Sequence, residues 1–253
     1  MISNGKFYES QFEEATIELL REAHWQYAFG DDIHRKYTDP LIEEDLRNFL
    51  AVQYKDKNLT TSEMDSIVAN LRNTGGQNDY YALRNTFLLY RDGYDFAYSD
   101  GRSNPFRLEY IDFEHPDHNI FRCVNQFVME QGRENRRPDI LLFINGIPVC
   151  IIELKNPTKQ NATIHDAHTQ ICTRYMRDIP ALLKYCALAV ISDGAKNALG
   201  ATYTPFEFFY EWKKIENEDK AGKGLDTLRT LIRGAISPER ILEILRDYVY
   251  FPD

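Results

Sequence analysis

The stretch that decides the fold runs from Arg137 to Asn156, RPDILLFINGIPVCIIELKN. Two short apolar runs, Ile140–Ile144 and Ile147–Ile152, flank an Asn145-Gly146 pair. Runs of this length, rich in β-branched residues and bounded by turn residues, read as strand, turn and strand. Neither run shows a polar face, so the hairpin belongs in the middle of a sheet with both sides covered. Charge appears only at its open end, with Asp139 before the first run and Glu153 and Lys155 after the second. Charged groups at the end of a buried sheet need partners, because burying an unpaired charge is costly. A divalent cation and a phosphate are suitable ones.

The spacing fits that chemistry. Glu153 and Lys155 are two apart on a strand and share a face. Two carboxylates can hold a hard cation through oxygen, with water, a backbone carbonyl and a substrate phosphate completing the shell. A lysine beside them can orient or deprotonate water, or stabilise charge on the phosphate. These are the parts of metal-assisted phosphodiester hydrolysis. Register decides whether they meet. A simple two-residue loop at Asn145-Gly146 sets Asp139 opposite Ile152 and leaves Glu153 on the other face. A three-residue loop, with Gly146 at positive φ, or a bulge that shifts the register by one, brings Asp139 to the face of Glu153 and Lys155. A plainer reading has Asp139 capping a turn and Glu153 and Lys155 at a solvated strand end. The hairpin context, the apolar strands and Pro138 before the Asp favour the nuclease.

The block RPDILLFINGIPVCIIELKNP, followed by DAHTQ, Tyr175 and VISDG, closely resembles the N-terminal nuclease domain of type I restriction enzyme R subunits, in the PD-(D/E)xK superfamily. Flanking segments extend the likeness, from YESQFEEATIELL near the start to Phe208–Trp212 and Tyr248–Phe251. The resemblance implies that Asp139 and Glu153 bind Mg2+, with the Leu154 carbonyl as a further ligand, and that Lys155 is the catalytic lysine. Gln170 and Tyr175 resemble a further motif that positions DNA or organises the site. They stand five apart, where the family usually has four. Five apart does not quite share a face of an α-helix, so either a π-bulge intervenes or the Tyr acts elsewhere. Glu9 or Glu13 on the first helix would add a carboxylate, and Arg137 is a DNA-positioning candidate. The implied activity is cleavage of double-stranded DNA without local sequence specificity. The implied partners, through a longer protein, are methyltransferase and specificity subunits. The alternatives are a silent nuclease-fold module for DNA guiding or assembly, and a stand-alone RecB-like repair nuclease.

The chain carries a net charge of −9. DNA binding usually leaves a basic footprint. Arg133, Arg136, Arg137, Lys155 and Lys159 could form a local strip, but the balance favours DNA affinity supplied by other domains and partners. Four cysteines, at 123, 150, 172 and 186, show no C-x-x-C spacing and read as reduced thiols of a cytoplasmic protein. The pairs His115/His118 and His165/His168 have no Cys at zinc-site spacing and read as surface or capping residues. Neither a membrane span nor a secretory signal is legible.

The expected fold is α/β, a restriction-endonuclease-like mixed sheet flanked by helices, with a largely helical N-terminal part. Helices are expected from about Tyr8, from Asp39-Pro40 as N-cap and N1, after Thr60 or Thr61, and after Gly75-Gly76. Strands follow over Phe106–Phe113 and Asn119–Met129, then the hairpin. Thr163–Arg177 reads as a helix and Ala187–Ser192 as a buried strand reached by a crossover. Residues 1–215 read as the nuclease domain, 216–224 as a loop or linker, and 225–253 as a helical segment leading toward an absent motor domain, its helix capped by Ser237. No G-x-x-x-x-G-K-[ST] occurs, so no ATPase site is expected in this chain.

Overall fold

The computed structural model describes residues 4–155, 163–215 and 224–252. Six strands form one mixed sheet: β1 (Gln26–Phe29), β2 (Phe121–Asn125), β3 (Ile140–Ile144), β4 (Ile147–Leu154), β5 (Leu188–Ser192) and β6 (Asn197–Ala201), side by side in that order. The β1–β2 and β4–β5 pairs are parallel and the others antiparallel. The hairpin strands β3 and β4 are central, and every one of their residues is buried. Their β-branched side chains fill both faces, as the unbroken apolar runs require.

The hairpin turn has two residues. Ile144 pairs with Ile147, and Asn145 and Gly146 both take positive φ, at 50° and 76°. This is the primed geometry that Asn-Gly favours, because its twist matches the strands. The three-residue loop does not form; the bulge does. Phe143 pairs with Pro148, but Leu142 pairs with Cys150, so Val149 is the extra residue. Side-chain packing shows the same shift. Ile147 and Val149 lie in one core cluster with Cys150, Ile152 and Leu154, whereas Ile151 joins the cluster on the opposite face. The odd-numbered positions thus change sides at the bulge.

Helices cover both faces. α1 (Asn4–Glu22), α2 (Glu43–Gln53), α3 (Thr61–Asn73) and α4 (Asp79–Asp92) precede the hairpin. They pack against Leu142, Val149 and Ile152 through Leu20, Phe49 and Leu71 among others. Thr60 starts α3 with a reciprocal capping box to Glu63, which satisfies two orphan N–H groups. The crossover from β4 to β5 carries a helix, α5, running through Ile164–Thr169, a π-helical Gln170–Tyr175 and Met176–Asp178, and then a short helical turn at Pro180–Leu183. Ile171 and Tyr175 of α5 pack with Leu141, Phe143 and Ile151. The last helices, α6 (Leu225–Ala235) and α7 (Pro238–Asp247), bury Leu231, Ile232, Ile241 and Leu245 in the cluster that holds α1 to α4. The Trp25 indole N–H donates to the Ile236 carbonyl at 2.8 Å, tying this segment to the start of β1. Among the described residues, no helix is long and apolar enough to cross a membrane.

Several local expectations change. Asp39-Pro40 does not open a helix: α2 begins at Glu43, because Asp39 turns back on the Leu41 N–H at 3.1 Å and pairs with Arg72 at 2.7 Å. Of Phe106–Phe113 only Phe106–Leu108 is a strand, paired with Tyr94–Phe96 in a separate ribbon. β2 stops at Asn125, where Gln126 takes a φ of 55°, and Met129–Gln131 pairs instead with Glu134–Arg136. Strand β1, short and half polar, gave no alternating signal in the sequence. Ser237 precedes α7 without capping it; its hydroxyl donates back to the Arg233 carbonyl. The expected linker, apart from Gly224, lies outside the described residues.

Gly146 is doubly constrained. Its φ is positive, and its carbonyl accepts the Ile42 N–H at 2.9 Å, so a Cβ would overlap the Ile42 carbonyl at the entry to α2. Gly146→Val should therefore destabilise the fold by about 2 kcal/mol or more, the cost of left-handed backbone for a β-branched residue plus the displaced contact. Denaturant titration against wild type measures this, and an unchanged midpoint would contradict the account.

Candidate functional site

Asp139 lies immediately before β3 and Glu153 one residue from the end of β4. Extending the Ile140–Ile152 register by one step sets the two acids opposite each other. Directly opposed residues of antiparallel strands point to the same side. Both therefore face α5, the side of Leu141 and Ile151. The Leu154 N–H donates to Asp139 Oδ2 at 2.7 Å, which fixes the half-buried Asp139 against the end of β4.

Lys155 follows on the same face. Its N–H donates to the Ser192 carbonyl at 2.7 Å, so the parallel partner β5 holds the backbone. Its Nζ donates to Glu153 Oε1 at 2.8 Å and to Gln170 Oε1 at 2.6 Å, and the Gln170 amide donates to the Tyr175 hydroxyl at 2.7 Å. The last contact depends on the π-helix. Residues five apart diverge on an α-helix, whereas a π turn of i→i+5 bonding brings them together. The unusual spacing is thus accommodated by local backbone, and Gln170, Tyr175, Lys155 and Glu153 form one polar chain in the floor of the site.

Electrostatics mark this corner. Glu153 is 1% exposed, and its Oε2 has no hydrogen-bond partner among the described residues. Burial and then the neighbouring negative charge of Asp139 push its carboxyl up to about 8, with Lys155 pulling the other way. Tyr175 lies close enough to Glu153 to favour the carboxylate, but does not close on Oε2. The Tyr175 hydroxyl is itself driven upward by burial and by Glu153. A buried carboxylate oxygen left without a donor is expensive. The two acids offer oxygen donors of the kind that suits a hard divalent cation.

The other candidates are distributed differently. The Glu13 carboxylate, on α1, accepts from Asn125 Nδ2 at 2.7 Å and from Gln126 Nε2 at 3.0 Å. It is at the Asp139 end of the sheet, engaged with the end of β2. The Glu9 side chain and Lys159 lie outside the described residues. Arg137 and Arg133 are exposed, but Arg136 is committed to Asp178 at 2.7 Å. A local basic strip, the less favoured alternative, would be correspondingly thin. Sequence reasoning missed Ser192 and Asp178, which anchor Lys155 and Arg136; both act through pairings between distant segments. It also missed Asp112, which draws His115 and His118 together.

The family model described as type I restriction enzyme R protein N terminus matches residues 6–208. The HindI endonuclease subunit of Haemophilus influenzae is 31% identical over 96% of this chain and 24% of its own length. The putative MjaIXP endonuclease subunit of Methanocaldococcus jannaschii is 28% identical over 94% of this chain and 25% of its own. The chain thus spans about a quarter of the length of these curated relatives. It belongs to the family of type I restriction enzyme R protein N-terminal regions.

Proposed function

We propose that this chain is the endonuclease domain of a type I restriction enzyme R subunit, hydrolysing phosphodiester bonds of double-stranded DNA with a divalent cation, Mg2+. The observation that carries this reading is the bulged hairpin end, where Asp139, Glu153 and Lys155 share one face and Glu153 Oε2 is buried without a partner among the described residues. Asp139, Glu153 and the Leu154 carbonyl would hold the cation. When bound, it would polarise the scissile phosphate and make a ligated water more acidic. Lys155 sits between Glu153 and Gln170, where its ammonium can orient the attacking water or meet charge on the phosphate. Gln170 and Tyr175 act through Lys155 and Glu153, fixing the direction of both side chains. Arg137 is exposed beside the site, where a DNA backbone would pass.

We infer that recognition and translocation belong to parts of a longer protein and to methyltransferase and specificity subunits, since this chain spans about a quarter of relatives named as endonuclease subunits. No base-reading element is needed at the cleavage point, and a site in the cytoplasm follows from such partners. The opposing reading, a silent module that only guides DNA, gives no reason to retain a buried Glu153 beside Asp139 at a cost in stability.

Three outcomes follow. Lys155→Ala in the assembled enzyme should abolish cleavage while leaving the fold intact by circular dichroism, since loss of a transition-state group costs rate. Cutting at the wild-type rate would remove Lys155 from the mechanism. Because Glu153 must shed a proton to take a cation, Mn2+ affinity should rise by about tenfold per pH unit below the Glu153 value of about 8 and flatten above it. A flat profile in titration calorimetry over that range would count against Glu153 as a ligand. With a net charge of −9, the chain alone should bind random duplex DNA weakly and lose it by about 0.2 M salt. Nanomolar binding at that salt would contradict the delegation of DNA affinity to other parts.

A further inference from the structure

The opposite end of the central hairpin carries a second constellation, built on the loop that leads into β2. Asp112 is 5% exposed. Its Oδ1 accepts the Glu114 and His115 N–H groups at 3.0 and 2.9 Å. Its Oδ2 faces Gln53 Nε2 at 3.2 Å, His118 Nδ1 at 2.9 Å and His115 Nδ1 at 3.4 Å. The two imidazole rings stack, with centroids 4.8 Å apart. One possible ligand atom from each of Asp112, His115 and His118 lies within 4.8 Å of the other two.

A hydrogen-bond count shows the difficulty. A carboxylate offers about four lone-pair positions. Two backbone N–H groups and the Gln53 amide make three donors, and two imidazoles protonated at Nδ1 would bring the number to five. The excess falls on Oδ2, where both imidazoles converge. The count closes if the imidazoles present lone pairs rather than protons and a cation stands among the three. Oδ1 then keeps its two backbone donors, and Oδ2 keeps Gln53 and gains the ion. Ligand separations of 2.9 and 3.4 Å bracket the roughly 3.3 Å between donors of a tetrahedral site with bonds near 2.0 Å.

We propose that Asp112, His115 and His118 bind one borderline divalent cation of the zinc class, apart from the site at Asp139 and Glu153. Two imidazoles and a carboxylate suit zinc, cobalt or nickel rather than the hard Mg2+. The backbone and Gln53 hold Asp112 in place, the outer support that a metal carboxylate needs. The His side chains are 59% and 47% exposed, which leaves a ligand position open to water. The distance along β3 separates this site from Asp139 by roughly 20 Å, at about 3.3 Å per residue.

The role follows from the connections. Asn119 donates to the Asp112, His115 and Pro116 carbonyls and accepts from both the Asp112 N–H and Asn145 Nδ2. The metal-bearing loop is thereby fastened to the Asn145-Gly146 turn, and the ion braces the closed end of the hairpin. The pair His165/His168 offers no such set: His168 Nε2 contacts the Thr204 carbonyl, and both rings pack on Phe206.

The test titrates zinc into the full chain carrying Asp139→Asn and Glu153→Gln, so that the other site cannot contribute. Uptake of about one zinc per chain and a melting temperature raised by several degrees are expected. His115→Ala with His118→Ala should lose at least about tenfold in affinity. These half-exposed side chains are chosen over Asp112, whose loss would unpin the loop. In the wild-type chain, the ring resonances of His115 and His118 should shift together on zinc addition while His165 and His168 stay, a readout that no variant's folding can confound. No uptake, uptake unchanged by the double substitution, or shifts confined to other histidines would each overturn the proposal.

Discussion

One extra residue in β4 sets the geometry on which the candidate site depends. Side chains alternate along a strand, so a two-residue turn alone would leave Asp139 and Glu153 on opposite faces of the sheet. Val149 shifts the pairing, and Glu153 and Lys155 move from the side of Ile147 to the side of Ile151. Bulges of this kind re-aim side chains near functional sites and add local twist. Here the turn keeps its favoured Asn-Gly form, and the correction is made inside the strand.

The second constraint is on the helix that crosses from β4 to β5. The five-residue spacing of Gln170 and Tyr175 suits a π turn, and the polar chain from Tyr175 through Gln170 and Lys155 to Glu153 follows from it. Bulge and π turn each insert one residue into a regular element, and together they bring strand end and helix into contact at one point. A regular strand or a regular helix would break that chain. The cost is a carboxylate with a buried, unpartnered oxygen, an arrangement that makes physical sense around a cation.

Much of this was legible in residues 137–156. Apolar runs without polar alternation placed the hairpin at the sheet centre, and parity alone required either a longer loop or a bulge. The choice between them was not legible, because Val149 and its neighbours are all apolar and give no sign of which is extra. Spacing likewise identified a π turn as one of two outcomes for Gln170 and Tyr175. Features made by distant pairings were invisible: β1 is too short and polar to show a period, Asp39 is diverted by Arg72, and Asp112 gathers His115 and His118 only through a loop held by Asn119 and Asn145. The packing of the last helices was not legible either: their apolar faces join the core cluster shared with α1 to α4.

The central claim is that Asp139 and Glu153 converge on one divalent cation. A crystal of the chain soaked in Mn2+, with anomalous scattering collected at the manganese edge, tests it directly. The account predicts a peak between the two carboxylates and the Leu154 carbonyl, lost in Glu153→Gln crystals. A well-ordered site without that peak, or with the two carboxylates turned to opposite faces of the sheet, would contradict it.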